Sequence, residues 1–522
     1  MVRDPRYYDV IVYGDEIPGV FAAISAAREY RRRTKQYPRV LLISKGNLQS
    51  GIGGHLVRGG LAYLDRSQID KSIRENLGLP TFGEPAAIYK EFLQKVGVIV
   101  VGLDRFKASA VLREMLEDAG VDLISNIAIE SIVKGDKNIV NLMTSKGRYS
   151  AKQFIDATVN AELAQVAGAR KLKGFETFGL PESELSVSVV FETQGLSVQK
   201  IKQIESIYLK RFTNLDDTEA QNFLLAATGN DEQLAAQLRR DMVDAAGKLK
   251  TMYAGSDYID VRSPALSVAY HSFRGTKFSL FETGVILDKA NIAILPGGRL
   301  SWNALLFTVT GSEAEELARN GAKPAPRMLA EIDYIKKWFN SIGATVNVPS
   351  ELYIRHAGNV TDVVQPLTGA DMLMGGVSAS EALGTFGYQF DVRGGIRDFA
   401  KIAYEKGITN LSFTPPIFNI GIQHALIKNI PNLAVVSPAS GFVGLAAAAG
   451  RIVEFNAGVA QGLGIAAIIA ILGNKNLADV SNLDVRKVLV QTNRLPRVFG
   501  IPKLAEASRM AGIDTLGDVA IA

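Results

Sequence analysis

The 522-residue chain contains no cysteine. That excludes disulfide staples, thiolate zinc sites, iron–sulfur ligation and any redox-active CxxC pair. Histidine is nearly as scarce. His55, His271, His356 and His424 are the only four, too scattered to suggest a His-rich metal site. No Arg-rich stripe alternates with aromatics as single-strand binders require, so no nucleic-acid partner is expected. The longest apolar runs, such as Leu463 to Leu472, fall short of the roughly 20 residues that span a bilayer. No apolar signal core follows the opening MVRDPRYYD. The expectation is a cytoplasmic protein without a transmembrane segment. A net charge of +5 is too mild to argue for a polyanionic partner.

What is present is core-forming material. The chain is 47% hydrophobic, with no low-complexity tract, enough for two or three domains. "YDVIVYGDEIPGV", Tyr8 to Val20, reads as a buried strand, a tight turn and the start of a helix. The helix ends in the basic run "REYRRRTK", Arg28 to Lys35, whose cations complement the negative helix end. "RVLLIS", Arg39 to Ser44, is a second buried strand, so the chain opens β–α–β. Gly14 and Gly19 keep the first and last glycines of a G-x-G-x-x-G phosphate-binding turn, while Glu16 replaces the central one. The site tolerates Asp15 and Glu16 if both carboxylates point away from the phosphates. Ser44, followed by Lys45, stands where an acid binds ribose hydroxyls.

Further along, residues 86–120 read as helical and "GVDLISNIAIESIV" as strand. "KNIVNLMTSKGRYSAKQFIDAT" reads as a β-hairpin ending in a buried strand. Beyond residue 173 the texture changes to a long alternating strand, "LSVSVVFETQG", polar helices over 197–250, strands near 290–296 and a helix near 311–342. After residue 418 the chain becomes small and apolar again. The expected fold is α/β: a doubly wound Rossmann-like domain assembled from both chain ends (1–172 and 418–522), with a β-rich α+β domain (173–417) inserted.

Several of these stretches, in order, resemble the FAD-dependent oxidoreductases of the glutathione-reductase/succinate-dehydrogenase type. They are "YDVIVYGDEIPGVFAAISAAR", "GGHLVRGGLAYLD", "GVDLISNIAIESIV", "FIDATVNAELAQVAGA", "LYIRHAGNV", "LGTFGYQFDV" and the closing "HALIKNIPNLAVVSPASGFVGLAAAAGRIVEFNAGVAQGLGIAAIIAI". The resemblance implies FAD as cofactor, a small-molecule substrate and a separate electron acceptor. It places Gly14, Glu16, Gly19, Ser44 and Lys45 around the adenylate and diphosphate, with Gly53, Gly54 and His55 on the flavin-side loop. Ile129 then lies on the strand whose backbone meets adenine, and Ala157 and Thr158 in the motif that closes the first domain. Arg451, Phe455 and Asn456 fall in the segment beside the flavin ring. His271, His356 and His424 are candidate acid/base groups, and Arg58 a candidate for a substrate carboxylate. Polar groups also gather near turns at Arg299, Arg355, Tyr388, Asp391 and Arg393. No second phosphate-binding turn is evident, so no dedicated nicotinamide domain is expected.

This chain departs from the family's pattern. Val159 stands where the family has glycine and Asn160 where it has an acid, besides Glu16 and Ser44. These departures motivate an alternative: a flavoprotein-fold binding or scaffold protein whose cofactor site is degenerate and non-catalytic.

Overall fold

Val10, Ile11, Val12 and Tyr13 are all buried, as expected of a parallel strand covered on both faces. A computed structural model describes residues 6–517. The first sheet takes β1 (Arg6–Tyr13), β2 (Val40–Ile43), β3 (Asp122–Ile124), β4 (Ile129–Gly135), β5 (Asn138–Thr144) and β6 (Gly147–Asp156). Their order is β3-β2-β1-β6-β5-β4. β1 runs parallel to both β2 and β6, in register Val10 with Val40 and Tyr13 with Asp156.

A second, antiparallel sheet holds β7 (Val187–Gln194), β8 (Tyr253–Ala254), β9 (Tyr258–Asp260), β10 (Val285–Leu295), β11 (Arg299–Phe307) and β12 (Thr345–Asn347). Its core is separate, built around Phe191, Trp302, Trp338 and Phe339. β13 (Thr385–Gly387) and β14 (Ile417–Asn419) form a two-stranded ribbon whose Phe386 and Phe418 pack into the first core. The chain then returns to the first sheet as β15 (Leu433–Val435), parallel to β6. The molecule is therefore a doubly wound α/β unit completed by both chain ends, with an antiparallel sheet between them.

The strand–turn–helix entrance explains its two surviving glycines. Gly14 has φ +105°, and a Cβ there would sit 2.6 Å from the Ala157 carbonyl carbon. A Cβ on Gly19 would lie 2.3 Å from the Gly14 carbonyl oxygen, inside van der Waals contact. Helix α1 (Ile17–Thr34) is thereby pressed against the sheet.

Its other neighbour is the helix Val453–Leu472, where a Cβ on Gly464 would meet the Ala22 carbonyl oxygen at 2.4 Å. At 20 residues and mean hydropathy 1.9 this helix is long and apolar enough to cross a membrane, which the runs read from sequence were not expected to be. Yet 83% of its apolar window is buried inside the protein, so it serves here as a core helix. The basic end of α1 is largely neutralised. Arg32 and Arg33 donate to the buried Glu29, and Arg28 pairs with Glu91.

Candidate active site

The carboxyl ends of β1, β2 and β6 open into a crevice of about 490 Å³, lined by Gly14, Ser44, Lys45, Ala157, Thr158 and Val159. Strand order reverses at β1, between β2 on one side and β6 on the other. In open α/β sheets such a reversal is where a ligand crevice forms. Asp156 supports the floor: it accepts from the Thr158 amide at 2.9 Å, the Thr158 hydroxyl at 2.7 Å and the Ala164 amide at 2.9 Å. Burial pushes its pKa up to about 6. Residues 318–323, at and beyond the end of the helix Gly311–Arg319, form the opposite wall. Lys45 Nζ donates to Glu162 at 2.6 Å and to the Arg319 carbonyl at 2.6 Å, pinning the end of β2 to the helix Gly311–Arg319. Val159 packs against the core of the second sheet.

The two acids of the opening turn do not swing outward. Asp15 is buried, and its carboxylate accepts from the Ser44 hydroxyl at 2.6 Å, the Gly53 amide at 3.2 Å and both terminal nitrogens of Arg58. Burial alone would raise its pKa, but Arg58, Ser44 and the Gly53 amide hold it below the usual carboxylate range. Glu16 reaches the start of the short helix α2 (Gly54–Val57), where it accepts from the His55 amide at 3.1 Å and lies 3.1 Å from His55 Nδ1. Burial disfavours the His55 cation, yet Glu16 raises its pKa. A Cβ on Gly54 would overlap the Glu16 carboxylate at 2.0 Å, so glycine is what admits this side chain. Arg58 also donates from Nε to Glu351 at 2.6 Å, tying the turn to the chain returning from the second sheet.

Beyond His55, whose Nε2 accepts from the Ile354 amide at 3.2 Å, lies a second cavity of about 330 Å³. It sits where the Gly-rich loop, β10, β11 and the segment before the helix Val453–Leu472 meet. Its wall includes Asp65, Arg66, Arg355, Tyr388, Asp391 and Arg451. Arg451 donates to Asp391 at 2.7 Å and to the Tyr353 hydroxyl at 2.8 Å. Arg66 donates to Glu454 at 2.5 Å, in that helix's first turn. Burial raises the pKa of Asp65, partly offset by Arg451 and by a hydrogen bond with Tyr388.

A family model described as "FAD dependent oxidoreductase" matches residues 9–489 of this sequence. The chain belongs to the FAD-dependent oxidoreductase family. No curated protein matches it significantly. Among solved structures, the L-proline dehydrogenase from P. horikoshii is 12% identical, with 94% of this chain and 100% of that one covered at a TM-score of 0.37. A geranylgeranyl bacteriochlorophyll reductase-like protein from Thermoplasma acidophilum is 13% identical, with 99% and 89% covered at 0.37. A myxobacterial chondrochloren halogenase is 11% identical, with 94% and 79% covered at 0.36.

The family's cofactor is FAD, and the donor set of the crevice suits it. The amides of Gly53 and His55 and the Arg58 guanidinium are anion-binding groups at the mouth of a glycine turn. They already hold anions, the carboxylates of Asp15 and Glu16.

Of the residues expected from sequence to meet the cofactor, Gly14, Glu16, Ser44, Lys45, His55, Ala157 and Thr158 line this one crevice. Gly19 packs behind the turn, and Gly53 and Gly54 form the backbone under Glu16 and Asp15. Ile129 lies on β4, paired with Thr144, and Asn126 lines the crevice in that neighbourhood instead. Arg451 lines the second cavity. Phe455 belongs to a cluster of Phe386, Phe418, Phe442 and His424. The Asn456 amide donates to the Gly450 and Ile452 carbonyls, holding its own turn.

The three acid/base histidines do not converge. His271 is buried in the second core, with Nδ1 facing Thr276 and Nε2 accepting from the Leu287 amide. His356 is clamped between Glu184 at 2.7 Å and Asn359 at 3.0 Å, stacked on Phe175. His424 lies among Phe442 and Phe455. Neither crevice nor cavity is lined by any of them. Arg58, expected to bind a substrate carboxylate, is held by Asp15 and Glu351. The sequence reading passed over Asp65, the last residue of "GGHLVRGGLAYLD", and Glu351. An acid ending a glycine-rich loop was the available signal for the first.

Burial depresses His424 to about 3 and His271 to about 4. Unfolded, each would take a proton near pH 6.5, so both withdraw stability as pH falls from about 6.5 towards 4, each by up to roughly 3 kcal/mol. Asp156 and Asp514, raised by burial to about 6 and about 7, act in the opposite sense and lose stability as pH rises. Denaturant unfolding of wild type and His424→Gln between pH 7 and 4 isolates the first effect. The variant's stability should fall less steeply with acidification; parallel curves would show that His424 takes up its proton in the fold as readily as in the unfolded chain.

Proposed function

We propose that this protein is an FAD-dependent oxidoreductase moving a hydride between a small organic substrate and the flavin, with reduced flavin reoxidised by a separate acceptor. The observation that carries this reading is the pairing of two cavities at one domain junction. One is a glycine-turned crevice with anion-binding amides, and the other a polar chamber beside the helix Val453–Leu472. In the crevice, Gly53, His55, Arg58 and Lys45 would hold the diphosphate side of the cofactor, and Ser44 and Thr158 the adenosine side. Bound FAD would supply the hydride acceptor or donor that no side chain provides.

The chain's own contribution is binding and proton handling. Asp65 lines the chamber, and burial strengthens its hold on a proton. A carboxylate with its pKa moved towards working pH is suited to take a proton from a substrate hydroxyl or amine. Arg451, immediately ahead of a helix start, adds positive charge at the chamber's end, where negative charge on a reduced ring would be stabilised. The expected result is a purified protein that acquires flavin absorbance with FAD and bleaches anaerobically with a substrate. A protein that takes up no FAD under any condition would overturn the reading.

A second reading, a binding protein on a flavoprotein fold, is favoured by one observation: Glu16 and Asp15 already occupy the anion donors. It predicts FAD exclusion by wild type.

A further inference from the structure

Four arginines, Arg66, Arg355, Arg393 and Arg451, line the 330 Å³ chamber. Three have carboxylate partners: Glu454 for Arg66, Asp391 for Arg451, and Asp288 for Arg393 at 3.2 Å. Arg355 has none among the described residues, although it is only 2% exposed. It donates instead to the Ser186 carbonyl at 2.7 Å and the Ser188 hydroxyl at 2.9 Å, and lies 4.5 Å from the centre of the Tyr353 ring. Burial, with the like charges of Arg451 and Arg393 beside it, pulls its pKa down to about 10 despite the opposing charge of Asp391. An uncompensated buried cation is costly, and proteins rarely keep one without an anion to meet it.

Two neighbours repeat the pattern. Arg451 Nε is buried and makes no hydrogen bond, and neither Arg393 Nε nor the Arg393 nitrogen nearest Asp288 makes a well-formed one. The chamber's remaining wall includes two amides, Asn291 and Asn303, and the Asp65–Tyr388 pair. The chamber is polar and small, and Arg355 is the one guanidinium of its wall with no carboxylate within ion-pair distance among the described residues.

We propose that this chamber binds the carboxylate of a small organic acid, received by Arg355 with Arg393 and Arg451. The proposal rests on the oxidoreductase reading above and names its substrate class. Guanidinium groups match a carboxylate by paired, charge-assisted hydrogen bonds. A volume near the lower limit for ligand pockets favours an acid of hydroxy-acid or amino-acid size over a fatty acid. Anchored in this way, the rest of the molecule shares the chamber with Asp65, the group assigned above to take its proton.

The test is calorimetric titration of the full chain, with and without FAD, using lactate, glycine and succinate against lactamide as the uncharged match. Saturable binding is expected for at least one carboxylate and not for lactamide. Arg355→Met should weaken it by at least about tenfold. Should Arg355→Met fail to fold, Arg393→Gln decides, because its side chain carries fewer structural hydrogen bonds; a loss of about threefold or more is expected. Binding of lactamide as tight as lactate, binding unchanged in the folded variants, or no carboxylate bound by wild type would each overturn the proposal. Carboxylate binding without flavin bleaching by any of these acids would leave this site standing and count against the redox reading alone.

Discussion

Glu16→Gly is expected to tighten FAD binding about ten- to a hundredfold. The Glu16 carboxylate accepts from the His55 amide and pairs with the imidazole at the start of α2. A diphosphate seeking the same donors must displace it and then lie beside its charge. One charge-assisted hydrogen bond is worth roughly 1.5–3 kcal/mol, which sets the size of the gain. Glycine also restores the close backbone approach of the G-x-G-x-x-G turn. No strain opposes the change, since Glu16 has φ −56° and ψ 153°, a conformation open to any residue. Glu16→Gln separates charge from bulk. It should recover part of the gain, because a neutral amide gives up the donors more readily. Flavin fluorescence quenching on titration reads all three proteins, and equal affinities would show that Glu16 does not guard the seat.

Arg58→Met is expected to cost roughly 3–5 kcal/mol of stability. Arg58 is 7% exposed and holds Asp15 from the first turn and Glu351 from the returning chain. Its removal leaves two carboxylates facing each other in a buried site without a cation. The pKa of Asp15 would then rise above its unfolded value, and that of Glu351, already raised by burial, would rise further. The variant should therefore lose more stability than wild type as pH climbs from about 4 to 7 and regain more of it on acidification. Adding Asp15→Asn should restore part of the loss, since one of the stranded charges is gone. Denaturant unfolding of the single and double variants across that range provides the check. An additive pair would show that Arg58 and Asp15 act independently.

Much of the architecture was legible because it is written in local pattern. The buried runs Val10–Tyr13 and Val40–Ile43, with glycine at 14 and 19, announce β–α–β regardless of what surrounds them. The alternating strand near 187–194 announces the antiparallel sheet. The helix read over 311–342 is two helices, Gly311–Arg319 and Pro326–Ser341, divided before Pro326, the sort of break proline makes.

The site was less legible, because its logic is tertiary. Asp15 points inward only because Arg58, 43 residues later, and Ser44 meet it there. Nothing in "GDEIPG" distinguishes that from an outward carboxylate. The surroundings of the histidines are tertiary too. A lone histidine near a turn looks chemical, but Glu184 and Asn359 make His356 a structural clasp, and aromatic rings make His424 a neutral core residue. Arg355, Tyr388, Asp391 and Arg393 were visible as polar clusters near turns, and only the fold joins them with Asp65 around one chamber.

The central claim is that a nucleotide crevice survives here with its anion seat held by the chain's own carboxylates. Parallel titration of wild type and Glu16→Gly with ADP and with adenosine tests it most directly. The account predicts that both proteins bind both ligands and that the substitution tightens ADP while leaving adenosine unchanged. Equal tightening of the two ligands, or no binding of ADP by either protein, would contradict it.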